Sequence, residues 1–438
     1  MRRTLVVSWT HLLLWGLALS PMLCGNACAA DFRTLYSFGA VAGGLDPTGG
    51  LIADEAGKFY GTTTEGGNGT ACGTQGCGVV FRLKRDGSEK VLYNFQGGND
   101  GWSPSGRLLA DESGNLYGTT EFGGGNTCGI YGQGCGTVFR VSPDGTETVL
   151  YAFMGGKNDG ATPQAGLIAD QVGNLYGTTL AGGGGTCTSV FGDGCGAVFE
   201  LAPSGTETLL HAFTGGTRDG ASPSSALITD QAGNLYGVTD YGGGQGCSGN
   251  GCGTVFKLAP DGTETVLHVF TGGRKDGEFP QGALIANQAG NLYGTTVGGG
   301  HENRRCGDLR CGTVFRLAPD GTLTLLHAFQ AGKYDGQFPA GGLVEDMAGN
   351  FYGTTEAGGH GRHIRNGGGC FPYQGCGTIF ELAADGAETV LYRLKTTDGR
   401  LPVGGLIADK AGNCYGVTEL GGGNGCGYGC GTVFKLKP

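Results

Sequence analysis

The stretch GTVFRVSPDGTETVLYAF, Gly136 to Phe153, decides the fold, because close copies of it punctuate the chain seven times. It reads as two strands rich in Val, Thr, Leu, Tyr and Phe, joined at Pro143-Asp144-Gly145 by residues suited to a tight hairpin. Six copies are whole and one is split. The split copy has GTVFKL, Gly431 to Leu436, at the end of the sequence and FRTLYSF, Phe32 to Phe38, near its start. A unit divided in this way predicts that the two ends of the chain meet and complete one sheet.

Outward from the hairpin, each unit reads GLIAD, a turn such as Val172-Gly173-Asn174, NLYGTT, a glycine-rich loop, the hairpin, and a loop of the form GGxxDGxxP. Four short segments bounded by turn residues predict four strands, termed a to d. Units of about 58 residues with four antiparallel strands predict a β-propeller blade. The sequence is therefore read as all-β, a single seven-bladed β-propeller over residues 31–438, with blades at 49–95, 106–153, 164–213, 224–270, 281–329, 340–394, and 403–436 plus 32–38. A β-solenoid is the alternative, but it wants shorter coils and no split unit. Tyr60, Tyr117, Tyr176, Tyr236, Tyr293, Tyr352 and Tyr415 each precede a glycine, which is expected to let a neighbouring ring come close.

The 96 glycines lack the period of three that collagen requires, so they belong to turns and loops. Hydrophobic residues at 39% are ample for a core, which excludes wholesale disorder. Residues 1–30 carry Arg2 and Arg3, an apolar run from Leu12 to Leu19, and the small-residue stretch Ala27-Cys28-Ala29-Ala30. That pattern predicts a secretory signal peptide and an exported, periplasmic or extracellular protein, with lipoprotein processing at Cys24 or Cys28 as an alternative. The run is too short to span a bilayer, and no later segment is long and apolar enough. A net charge of −10 argues against a nucleic-acid partner, since phosphate contacts need clustered Lys and Arg.

Of the 17 cysteines, 14 fall as pairs within the loop between strands b and c. The pairs are Cys72 with Cys77, Cys128 with Cys135, Cys187 with Cys195, Cys247 with Cys252, Cys306 with Cys311, Cys370 with Cys376, and Cys426 with Cys430. Paired occurrence at varying spacing, after an export signal, favours local disulfides over a metal site. Cys414 replaces the Leu or Phe of strand b and is expected to be a buried thiol.

The combination NLYGTT, GGGxxxxGCGTVF and DGTETVLYxF resembles the GloVer-type tandem repeats of exported bacterial proteins, over essentially Phe32 to Leu436. The resemblance implies a repeat class with varied anchoring modules and carries over no catalytic residue. Here the sequence stops in strand c at Pro438, so no surface attachment through a C-terminal anchor is expected. The turn Ala169 to Asn174 also resembles the Asp-x-x-Gly-Asn turn of extracytoplasmic bacterial propellers.

Alternating strand directions place the b-to-c and d-to-a loops on one face, with all the length and aromatic variety. Asp100, Asp159, Asp219, Asp276, Asp335 and Asp398 recur in the d-to-a loop. They are expected either to ring the mouth of the central channel as ligand-binding carboxylates or to cap their own Asp-Gly turns. Trp102, Tyr131, Phe279 and Phe338 are candidate ligand-binding aromatics, among a wider set with Phe122, Phe191, Tyr241, Phe371, Tyr373 and Tyr428. Strand a, taken to line the channel, is aliphatic apart from Arg107 and Glu345, which weighs against an enzyme. His211, His268 and His327 stand where other units have Tyr, which points to packing between blades. His301, His360 and His363 are a candidate shared metal or acid-base site. The leading expectation is a monomeric, non-catalytic module that needs no cofactor or metal and binds an extracellular glycan or protein. The alternatives are a lyase or lactonase with a site at the channel and a structural surface protein.

Overall fold

The computed structural model describes residues 30–438 except 40, 129–131, 190–191, 360–369, 371–374, 424–425 and 427–428. The expected signal peptide therefore lies, but for Ala30, outside the described residues. Seven four-stranded antiparallel sheets, each ordered a-b-c-d from the axis outward, form a seven-bladed propeller. Blade 2 is typical, with strands Leu109–Ala110, Leu116–Thr120, Thr137–Val141 and Glu147–Ala152. Its a-to-b turn is held by Asp111, whose Oδ1 accepts from the amides of Ser113 and Asn115 at 2.9 Å. The other oxygen, Oδ2, accepts from the Tyr117 hydroxyl at 3.1 Å, which ties the turn to strand b.

The seventh sheet confirms the split unit. Strands Leu406–Ala408, Cys414–Thr418 and Thr432–Lys437 are completed on the outer edge by Asp31–Ser37. The pairing runs from Asp31 opposite Lys437 to Ser37 opposite Thr432, with one register shift between Thr34 and Tyr36. Blade 2 has its shift at the corresponding place, between Val138 and Phe139. The N-terminal strand is thus a true copy of strand d supplied from the other end of the chain.

Blades adhere through a repeated aromatic contact. Phe139, fully buried at the end of GTVF, meets Phe95 of the preceding blade edge-on at 5.0 Å. The same contact recurs as Phe38 with Phe81, Phe153 with Phe199, Phe213 with Phe256, Phe270 with Phe315, and Phe329 with Phe380. The glycine after each Tyr makes room for it: a Cβ on Gly118 would lie 2.6 Å from Phe139 Cζ and 3.0 Å from Leu108 Cδ2. Threonines of strand b add hydrogen bonds across the seams, as from Thr119 Oγ1 to the Ala165 carbonyl at 3.0 Å and from Thr354 Oγ1 to the Pro402 carbonyl at 2.9 Å.

One expectation about strand a needs correction. Its leucines, Leu51, Leu108, Leu167, Leu227, Leu284, Leu343 and Leu406, are all buried and belong to the core between blades. Regular strand a shrinks to two or three residues, and the segment before it approaches the axis as Gly, Ala or Ser, with Arg107 the exception. There the backbones touch: a Cβ on Gly49 would lie 2.6 Å from the Gly106 carbonyl oxygen.

All seven expected disulfides form, with Cα separations of 5.0–5.5 Å. Each fastens the long loop to a buried cysteine two residues before strand c, such as Cys77 or Cys135. Cys414 is free and buried, and burial pushes its thiol up to about 12. The Gly118–Phe139 contact gives a direct test. Gly118→Ala should cost about 1–3 kcal/mol in urea unfolding through overpacking, and the cost should shrink in a Phe139→Leu background. An equal cost in both backgrounds would contradict the packing described.

Candidate functional site

The long-loop face carries a bolted mouth built seven times from one local device. The residue before each loop proline has a left-handed backbone: Asp46, Ser103, Thr162, Ser222, Phe279, Phe338 and Leu401, with φ between 55° and 61°. Such angles are uncommon for residues with a Cβ, and the position before proline is already restricted. Each one pins two elements. Its amide donates to the carbonyl of the buried cysteine of the preceding blade, as from Ser222 to Cys195 at 2.7 Å, and its carbonyl accepts from the residue after strand b, as from Asp240 at 3.1 Å.

Two further rings are set by that device. The residues after the prolines are Thr48, Ser105, Gln164, Ser224, Gln281, Ala340 and Val403, and all seven line one cavity of about 500 Å³. Because every blade contributes, the cavity sits on the propeller axis. The residues after strand b are Thr64, Glu121, Leu180, Asp240, Val297, Glu356 and Glu419, of which Leu180, Asp240 and Glu356 also reach the cavity. Ser222 and Tyr241 complete its wall.

The carboxyl groups of this mouth differ in their partners. Asp240 accepts from Ser224 Oγ at 2.6 Å and from Gln281 Nε2 of the next blade at 3.3 Å. Glu121 accepts from Gln164 Nε2 of its next blade at 2.7 Å and from Ser103 Oγ at 3.2 Å. Beside Glu356 and Glu419 the next blade offers Val403 and Thr48, so the glutamine clasp is missing. Burial pushes Asp240 up to about 7, and burial with the nearby Glu419 does the same for Glu356. Asp46 is also pushed up to about 7, by burial and by Glu65 and Glu419. Deeper on strand a's path, Arg107 stands where the other blades have Gly50, Gly166, Ala226, Ala283, Gly342 and Gly405. Its side chain reaches solvent while crowded by protein, and desolvation holds its guanidinium below the usual value.

The residues singled out from the sequence lie elsewhere in part. None of the six aspartates lines the axial cavity. Each sits at a seam, paired with strand d: Asp100 with Tyr93 at 3.0 Å, Asp159 with Tyr151 at 3.0 Å, Asp219 with His211 at 3.5 Å, Asp276 with His268 at 3.3 Å, Asp335 with His327 at 3.4 Å, and Asp398 with Tyr392 at 2.8 Å. Each also accepts from an amide of its own loop, as the turn-capping alternative expects. Phe279 and Phe338 occupy two of the left-handed positions around the mouth, and Phe279 meets the half-exposed Tyr241 edge-on at 5.4 Å. Trp102 packs on Phe122 at 4.9 Å and donates its indole N–H to the Gln133 carbonyl at 3.3 Å. Tyr131, Phe191, Phe371, Tyr373, Tyr428, His360 and His363 lie outside the described residues, and with them the expected His301, His360 and His363 grouping. The sequence reading missed Asp240, Gln281, Gln164, Glu121 and Glu356. The signal was present in the residue following each loop proline and the residue following each YGTT or YGVT.

The repeats of this propeller match the sequence profile of the Gloeobacter/Verrucomicrobia repeat over residues 25–191 and 132–368. The chain belongs to the Gloeobacter/Verrucomicrobia repeat family. No curated protein matches it. Among solved structures, this family member superposes on a copper-bound fungal alcohol oxidase of the AA5 family with a TM-score of 0.55 at 12% identity, covering 94% of this chain and 77% of that one. The extracellular domain of a putative one-component system from B. thetaiotaomicron gives 0.51 at 11% identity, covering 94% and 40%. A gluconolactonase from Xanthomonas campestris gives 0.41 at 15% identity, covering 74% and 86%. At these identities the likeness concerns the fold alone. Among the described residues no helix is long and apolar enough to cross a membrane.

The raised carboxyls of the mouth predict a pH dependence. A carboxyl whose folded pKa lies above its unfolded value contributes stability that is full below about 4 and lost as pH rises through about 7. The thermal midpoint should therefore fall between pH 5 and pH 8. Asp240→Asn should flatten that fall by removing one titrating group. A midpoint that rises over this interval would contradict the assignment.

Proposed function

We propose that this protein is exported and acts as a non-catalytic binding module whose axial pocket takes a polyhydroxylated ligand, a sugar unit of an extracellular glycan. The observation that carries the reading is the wall of that pocket. Eight polar residues, Thr48, Ser105, Gln164, Ser222, Ser224, Asp240, Gln281 and Glu356, line one cavity of about 500 Å³. That volume suits a small ligand, and a dense mix of donors and acceptors suits one that carries many hydroxyls. Tyr241, 40% exposed, offers a ring against which an apolar sugar face packs, with Phe279 edge-on beside it. The left-handed residues and the disulfides hold this wall before any ligand arrives, which lowers the cost of ordering it.

Export follows from the leader pattern of residues 1–30 together with seven disulfides. The module acts as a monomer, without a cofactor and without a nucleic-acid partner. A second reading has its own support. Asp240 and Glu356 are both pushed up to about 7 in one pocket, as suits a general acid and base, which fits a lyase or a lactonase.

A glycan-binding screen on the oxidised protein distinguishes the readings. Binding should weaken at least about tenfold with Gln281→Ala or Tyr241→Ala, the loss of about 1.4 kcal/mol expected for a well-made ligand contact. Trp102→Ala and substitution of the six seam aspartates should matter less. Turnover of a bound ligand that Asp240→Asn or Glu356→Gln abolishes would replace the binding reading with the enzymatic one. Unchanged binding in the pocket variants would remove both.

A further inference from the structure

The seams between blades repeat one polar arrangement with variations that form a built-in series. Its members are a Tyr or His late in strand d, the loop aspartate that follows, and a glutamate opening strand d of the next blade. Tyr93, Asp100 and Glu147 meet between blades 1 and 2, and Tyr151, Asp159 and Glu207 between blades 2 and 3. At two seams the phenol gives way to an imidazole with the rest of the set kept. These are His211, Asp219 and Glu264 between blades 3 and 4, and His327, Asp335 and Glu388 between blades 5 and 6. Between blades 4 and 5, His268 and Asp276 are present but Leu323 stands in the glutamate position. Between blades 6 and 7, Phe32 takes that position and stacks on Tyr392 at 4.1 Å.

The two complete imidazole sets have the makings of a metal site. One nitrogen and two carboxylate oxygens lie within 4.8 Å of one another in each. The His and Asp side chains are 19% and 13% exposed at the first seam and 17% and 14% at the second. His211 Nε2 lies buried 3.5 Å from Asp219 Oδ1, and Glu264 Oε1 and Glu388 Oε1 are buried without a hydrogen-bond partner. The glutamate oxygen is equally unpartnered at Glu147 and Glu207, so that feature alone does not single out these seams. What does is the imidazole, a nitrogen ligand in place of a phenol. Both aspartates are already oriented by backbone amides, Asp219 by Thr214 and Gly220 and Asp335 by Gln330 and Gly336, all at 2.7 Å. Such outer contacts fix a ligand's direction before the ion binds. Two carboxylates facing each other in a seam repel unless a proton or cation lies between them.

We propose that these two seams are divalent transition-metal sites, one held by His211, Asp219 and Glu264 and the other by His327, Asp335 and Glu388. One nitrogen with two carboxylate oxygens and an open fourth position suits zinc better than calcium or magnesium, which prefer all-oxygen shells with more ligands. The bound ion crosses from one blade to the next and so pins the seam.

The test is a zinc titration of the chelator-stripped, oxidised protein, with bound metal counted after equilibrium dialysis. His211→Tyr and His327→Tyr are suitable variants because tyrosine occupies the same position in blades 1, 2 and 6, which keeps the fold. Each should remove one zinc ion, the pair should remove both, and His268→Tyr should remove none. Zinc should raise the thermal midpoint of the wild type and leave that of the paired variant unmoved. Leu323→Glu should add a third ion at the seam that lacks the carboxylate. A wild type that holds no zinc, or a zinc count that the paired tyrosine substitution does not lower, overturns the proposal.

Discussion

The antiparallel ladder between Asp31–Ser37 and Thr432–Lys437 is the constraint on which the rest of the molecule depends. Each blade buries its faces only against its neighbours, so a ring left open exposes two seams at once. The N-terminal strand closes both. On one side Phe32 stacks on Tyr392, and on the other Phe38 meets Phe81. Closure also removes the unpaired edge that the seventh sheet would otherwise present to other chains.

Closure in turn makes the axial mouth possible. Seven left-handed residues connect the cysteine carbonyl of one blade to the residue after strand b of the next, so the rings around the cavity are mutually braced. The disulfides act on the same loops, fastening a glycine-rich segment that has little side-chain packing of its own. The consequence is a rigid, polar pocket at the centre of a face whose outer loops are long and varied. Rigidity at the centre also explains why carboxyls such as Asp240 are held buried between fixed partners and not left to relax towards water.

Architecture was legible in the sequence because it is written redundantly. The split hairpin, the Tyr-Gly pairs and the paired cysteines each occur often enough for one chain to act as its own alignment, and the closing strand, the Gly118–Phe139 contact and the disulfides appear as the pattern implies. The site was less legible, for a geometric reason. Strand a was read as the channel wall, whereas its leucines turn into the seams and only the segment before it reaches the axis. The positions that face the cavity therefore vary from blade to blade, as Ser105, Gln164 and Gln281 do, while the conspicuous repeated aspartates serve the seams. In a repeat protein, what recurs builds the ring, and what differs between copies falls where the copies converge.

The closing ladder can be tested by placing cysteines at the register partners Arg33 and Lys435 and mapping disulfides in the oxidised protein by mass spectrometry. The account predicts a cross-link within one chain that joins the peptides containing positions 33 and 435, with the seven native bridges retained. Free thiols at both positions, or a link found only between chains, would contradict the closed ring.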